Sequence, residues 1–297
     1  MKGYSLFLLI GLFCLLGGCS DDEDVSPSMK DEDRLENLID KSNTDIMAFK
    51  EKYGTYILYE FDQLLDFAYQ FDQAAAWREA KLTYLEKDDV PGAVAFLKEH
   101  FWSCYEDSMI INNFPRKFLI CTKIFASALG ISGEDNTKIN HDAVANMNSF
   151  TAACLDRKSL SGMDTDRQVE YLQQLHYIYL GGYLVNVRRN VFVEDVFFDP
   201  ASKLYGTKIE RTTGTTLDEN YFMGRGFFYI EKDVNYYPQQ MEDLMMFVEN
   251  LVKMDQRVQD IVMEKSIMRI KMQNVAQGLK AIGVNIEKVN PLALDFL

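Results

Sequence analysis

Three histidines serve the whole chain: His100, His141 and His176. Imidazole is the side chain best suited to proton transfer near neutral pH and a common zinc ligand. His176 has the most telling setting. It lies in VEYLQQLHYIYLGGYL, Val169 to Leu184, whose apolar residues recur at helical spacing behind the N-cap candidates Asp164, Thr165 and Asp166. Two histidines at i and i+4 stack on one helix face and reach a single zinc ion. A glutamate after the first of them deprotonates the zinc-bound water, which is the H-E-x-x-H arrangement. Here the first ligand position is Leu172, with no lone pair to give, and the base position is Gln173, a neutral amide. One imidazole alone binds zinc poorly. Losing the base costs roughly 10²–10⁴ in rate, and losing the metal forfeits the activated water as well.

Other constellations are weaker. A three-histidine zinc site would have to recruit every histidine from distant segments. His100 and Cys104 share a helix face, but Phe101 and Trp102 between them mark a core helix. Gly224-Arg225-Gly226 lacks the third glycine of a dinucleotide loop, and no serine sits in a G-x-S-x-G context. The aromatic group Tyr221, Phe222, Phe227, Phe228, Tyr229, Tyr236 and Tyr237 is the stacking surface that sugars and peptides use, although packing is its commoner employment.

The elements that position these residues follow from composition and pattern. The chain has 297 residues, 47% of them hydrophobic and 26% charged, with a formal charge of −14. That is ample material for a core, and the acidity argues against a nucleic-acid partner, which needs clustered Lys and Arg. The N-terminus carries Lys2, an eleven-residue apolar run from Leu6 to Leu16, then Leu16-Gly17-Gly18-Cys19. The run is shorter than the roughly 20 residues a membrane span takes, but suits a signal peptide. Small residues before a cysteine resemble the bacterial lipobox, so residues 1–18 are expected to be removed and Cys19 lipidated, giving a membrane anchor. The acidic run Ser20 to Asp24 resembles the signal that sends Bacteroides-group lipoproteins to the outer face of the outer membrane. Residues 19–44, polar and nearly free of aromatics, are expected to be a flexible tether. Cys104, Cys121 and Cys154 are an odd, widely spaced set, read as buried free thiols, with one bridged pair in an oxidising compartment as the alternative.

A single domain is expected over 45–297. Phe49 to Phe61 passes from a helix end through Gly54 into a strand at Tyr56 to Phe61. Ala74 to Tyr84 and Pro91 to Tyr105 look helical. Arg116 to Ile124 reads as a buried strand, Ser132 to Asp142 as a polar loop, and Asn148 to Leu155 as a short strand. Gly181-Gly182 should weaken or end the His176 helix. Asn190 to Asn220 reads as loop with short strands. Pro238 opens a strong helix, and Gln256 to Ile282 reads as another, capped at Gly283. The class is α+β, mostly helical, with a small sheet in the N-terminal half.

Several segments, in order, resemble the zinc-binding metallopeptidase lipoproteins common in Bacteroidetes. They are Lys52-Tyr53-Gly54-Thr55 with ILYEF, Phe114 to Ile120, LQQLH in place of HExxH, Gly226 to Tyr229, Glu242 to Val248 after Pro238, and Glu264-Lys265 with Gly283 to Ile286. The likeness covers roughly residues 45 to 290. It implies a zincin-like fold, with His176 in the place of the second histidine and Glu242 or Asp243 in that of the acidic ligand. As a plain helix-dipole feature, Glu242 and Asp243 need no metal. With Leu172 and Gln173 at two chemical positions, the expectation is a degenerate, pseudoenzyme-like site with no cofactor, zinc entering only if the site works. The protein is then a cell-surface binder of peptide or glycan, or an accessory subunit of an envelope complex. The alternatives are an active zinc metallopeptidase with an altered ligand set, and a scaffold or adhesin unrelated to peptidases.

Overall fold

The computed structural model describes residues 31–67, 80–127, 138–211, 216–228 and 235–297. The leader, Cys19, the acidic run after it and Tyr229 lie outside these. The chain divides into two units, 1–37 and 38–297. In the first, helix α1 (Asp31–Leu38) occupies part of the stretch expected to be tether. Three acidic residues in its first turn complement the positive end of the helix.

The second unit is α+β. Helix α2 (Thr44–Tyr53) is capped by the Asn43 side chain, which accepts from the Asp45 and Ile46 amides, and it stops at Gly54 as expected. Strand β1 (Tyr56–Leu58) follows. The centre of the sheet is β3 (Lys117–Ser127). Its first half, Phe118 to Cys121, is at most 1% exposed, the continuous apolar run of a strand covered on both faces. That half pairs in parallel with β1 on one side and with β6 (Ser149–Ala152) on the other, and β5 (Ala143–Ala145) closes the edge antiparallel to β6. The outer half of β3 pairs antiparallel with β2 (Lys81–Tyr84) and β4 (Lys138–His141). These two strands correct the sequence reading. Lys81 to Tyr84 is not helical, and Lys138 to His141 is not loop, because the free edges of β3 satisfy their backbone groups. The rest of that expected helix, residues 74–79, lies outside the described residues.

Helix α3 (Val90–His100) carries Pro91 in its first turn, where a missing N–H costs nothing, and a 3₁₀ turn at Trp102–Cys104 leads to α4 (Asp107–Asn113). After α5 (Arg157–Gly162), α6 (Thr165–Tyr177) starts at Asp164, whose carboxylate accepts from the Arg167 amide. Gly181-Gly182 does not end it. The helix instead widens into a π-helix over Ile178–Val187. Among the described residues the following region holds short helical turns in place of the expected short strands, including α7 (Asp195–Phe198) and α8 (Glu219–Met223), and an isolated bridge, Lys208 to Tyr236.

The C-terminal layer is α9 (Gln240–Val252), α10 (Gln256–Glu264), α11 (Ser266–Ala281) and α12 (Ile286–Val289). The stretch read as one helix from Gln256 is two, broken at Lys265, whose backbone is extended. Gly278 lets α11 approach the 190s segment, since a Cβ there would drive into the Phe192 carbonyl. Gly278→Ala is expected to destabilise the fold by about 1–3 kcal/mol despite alanine's better helix propensity. A denaturant midpoint equal to or above that of the native chain would disprove this close approach.

Candidate functional site

His176 ends up in an aromatic core. It is 2% exposed; its Nδ1 lies 2.7 Å from the Tyr105 hydroxyl, and its ring is tilted against Phe101 at 5.0 Å between centroids. Burial pushes its pKa down to about 3, so the imidazole is neutral at physiological pH. Glu242 has another task. Its carboxylate accepts from the Gln239 amide at 2.8 Å, completing a capping box at the start of α9. Among the described residues no three His, Cys, Asp or Glu side chains gather so as to hold a metal ion. His100 keeps Glu99 as a neighbour at 3.8 Å, and His141 sits in the β3–β4 ladder. The Cys104 thiol reaches back to the His100 carbonyl instead of forming a chelate, and Cys104, Cys121 and Cys154 are all free.

Asp243 is the surprise. The carboxylate the resemblance placed near a metal is fully buried and ion-paired to Lys271 at 2.5 Å, with both side chains 0% exposed. The Tyr205 hydroxyl donates to the same oxygen at 2.6 Å, and the Lys271 ammonium also donates to the Gly226 carbonyl at 2.7 Å. The rings of Phe197, Phe247 and Phe227 surround that ammonium at 4.5, 4.6 and 5.1 Å, which stabilises a cation otherwise stripped of water. Burial raises the Asp243 pKa and lowers that of Lys271, each opposed by the partner's charge. The pair ties together α9, α11, the Tyr205 loop and the turn at Gly226. Asp243 does stand in the first turn of α9 beside Glu242, where a carboxylate complements the helix dipole, but its side chain is buried and paired.

Two pockets have Tyr237 in common. One, of about 630 Å³, is lined by Lys203, Lys208, Glu210, Tyr221, Arg225 and Tyr237 among others. The other, of about 610 Å³, is lined by Gly206, Tyr236, Tyr237, Gln239, Glu242 and Met246 among others. Gly206 has φ +66°, a conformation side chains rarely adopt, and its bare Cα faces the Gln239 amide. The aromatic group read from the sequence therefore divides. Phe222, Phe227 and Phe228 are core, Tyr237 is a core residue that also lines both pockets, Tyr221 packs against that core and lines one of them, and Tyr236 is 57% exposed. Burial, then the bond to Tyr221, pushes the Tyr237 hydroxyl up to about 12, so it stays a proton donor at neutral pH.

Lys203, Lys208 and Lys271 were not singled out by the sequence, and Arg225 only as part of a failed glycine loop. A third pocket, about 380 Å³, has an apolar floor that includes Phe49, Val94 and Trp102, beneath the ion pairs Lys52–Asp107 and Lys98–Asp45. No protein-family model matches the chain, and no curated protein and no solved structure matches it either. Among the described residues no helix is long and apolar enough to cross a membrane.

Proposed function

We propose that this chain is a lipid-anchored envelope protein on a metallopeptidase-like, zincin-type frame whose hydrolytic site is degenerate. It acts by binding a peptide or a glycan, or as an accessory subunit of an envelope complex, from the outer face of the outer membrane. The anchor reading rests on Leu16-Gly17-Gly18-Cys19 and the acidic run behind it. The frame reading rests on element order, a sheet in the N-terminal half followed by the His176 helix and then by the Glu242-Asp243 helix.

The observation that carries the non-hydrolytic reading is the donor set around His176. Leu172 and Gln173 supply neither ligand nor base, Nδ1 faces Tyr105, and Asp243 is held by Lys271. Catalytic zinc takes three protein ligands and an open position. The residues present do not fit that ion.

The test is direct. Full-length protein equilibrated with zinc at pH 7 and then dialysed is expected to retain only substoichiometric metal, and to cleave no peptide library with or without a chelator. One tightly held zinc per chain, or cleavage abolished by His176→Ala, would favour the altered-ligand peptidase instead.

A further inference from the structure

Resting on that binding reading, we propose that the two pockets that share Tyr237 form an acidic-saccharide site. The cationic pocket takes a sugar carboxylate or phosphate, and its neighbour takes the next, neutral ring. On a chain of formal charge −14, one pocket of about 630 Å³ gathers Lys203, Lys208 and Arg225 against one carboxylate among the described residues, Glu210. Lys203 and Lys208 are exposed and have no ion-pair partner among the described residues.

Arg225 is held ready to bind. Its guanidinium stacks on the Tyr221 ring at 3.7 Å, and one nitrogen donates to the Tyr221 carbonyl at 3.0 Å. A fixed planar fork loses little freedom on meeting an oxyanion, and it presents paired donors in the geometry a carboxylate or phosphate accepts. The buried anchor sets this geometry from behind. Tyr205 lies inside the Lys203–Lys208 loop, and Gly226 follows Arg225, and both are bonded to the Asp243–Lys271 pair.

The lining favours a sugar over a peptide. Tyr236 is largely exposed, Tyr221 and Tyr237 pair their hydroxyls at 3.0 Å, and Thr207, Gln239 and Glu242 add groups that match ring hydroxyls. Among the described residues Leu204, Pro238 and Met246 are the aliphatic side chains in the two linings, too little for a peptide's apolar anchors. Among the described residues the backbone here offers an isolated bridge between Lys208 and Tyr236, not a strand edge for an extended chain to join. Three cations suit one or two acidic groups, not a long polyanion.

The experiment uses the full chain in detergent on a glycan array that carries uronic-acid, sialic-acid and phosphorylated oligosaccharides beside their neutral counterparts. The strongest acidic hit is then titrated against its esterified or dephosphorylated form and against a hexaglutamate peptide. Binding is expected for acidic glycans, weaker by about tenfold or more for the neutral form. Arg225→Ala is expected to cost about tenfold, with part recovered in Arg225→Lys, and Lys203→Ala and Lys208→Ala about two- to threefold each. Added salt should weaken binding. The proposal is overturned if no acidic glycan binds, if the neutral form binds equally, or if Arg225→Ala leaves affinity unchanged. Hexaglutamate binding as tightly would overturn it too. A zinc-free, non-hydrolytic chain that prefers hexaglutamate loses only the saccharide assignment, whereas tight zinc with cleavage strikes the preceding proposal.

Discussion

Lys271→Met alone is expected to cost about 3–5 kcal/mol of stability, and Asp243→Leu alone a similar amount, while the double replacement costs far less than their sum. The asymmetry follows from burial. With both side chains 0% exposed, removing either leaves the other charge in an aromatic interior with no water to solvate it. Removing both leaves a cage of Phe197, Phe227 and Phe247 that accepts apolar side chains. Urea unfolding of the four proteins at pH 7 gives the coupling energy as a cycle. Additive single effects would show that the two groups act independently. In the single variants the pocket should also suffer, because Tyr205 and the Gly226 carbonyl lose the group that holds them. Arg225 and the Lys203–Lys208 loop then lose their fixed spacing.

The second large effect is on pH dependence. In the unfolded chain His176 titrates near 6.5, and in the folded chain burial pushes it down to about 3. Between those values the unfolded chain takes up the proton and the folded chain does not. Stability from this residue is therefore complete above about pH 6.5 and drains away as the pH falls toward 3. A shift of this size corresponds to something on the order of 4–5 kcal/mol across the window. His176→Gln keeps an acceptor for the Tyr105 hydroxyl and removes the titration. Its unfolding free energy should fall less steeply than that of the native chain between pH 6.5 and 4. The carboxylates are common to both proteins, so the difference between the curves isolates the histidine. Parallel curves would mean that His176 is accessible to protons in the folded state.

Much of the frame was legible because burial imposes a period. The apolar spacing of Thr165–Tyr177 and Gln240–Val252, and the unbroken run Phe118 to Cys121, are direct imprints of what each element packs against. Lys81–Tyr84 escapes such a reading because three of its four residues are exposed, leaving almost no pattern. What makes it a strand is the hydrogen-bonding edge of β3, which lies far along the chain. The break at Lys265 was hidden because apolar positions continue on both sides of it. The zinc-like reading of Asp243 failed to foresee its partner for a related reason. Lys271 lies 28 residues on, and nothing local distinguishes a lysine that will be buried from one that will be solvated. The pocket cations come from separate segments, so no window of sequence contains the cluster. The sequence did mark the aromatic stretch that supplies its walls, and it placed Arg225 between two glycines without showing why.

β3 has a consequence for how the molecule assembles. Its partners come from Tyr56–Leu58 and Lys81–Tyr84 on one side in sequence, and from Lys138–His141 and Ser149–Ala152 on the other. A polypeptide emerging N-terminus first exposes Phe118 to Cys121 along an open edge until Ser149–Ala152 has also emerged. Parallel pairing across such separations closes slowly, and an unpaired apolar edge invites association with other chains in the meantime. The nascent protein is thus at its most vulnerable before its second half exists, and a holding chaperone that shields one short strand would raise its yield.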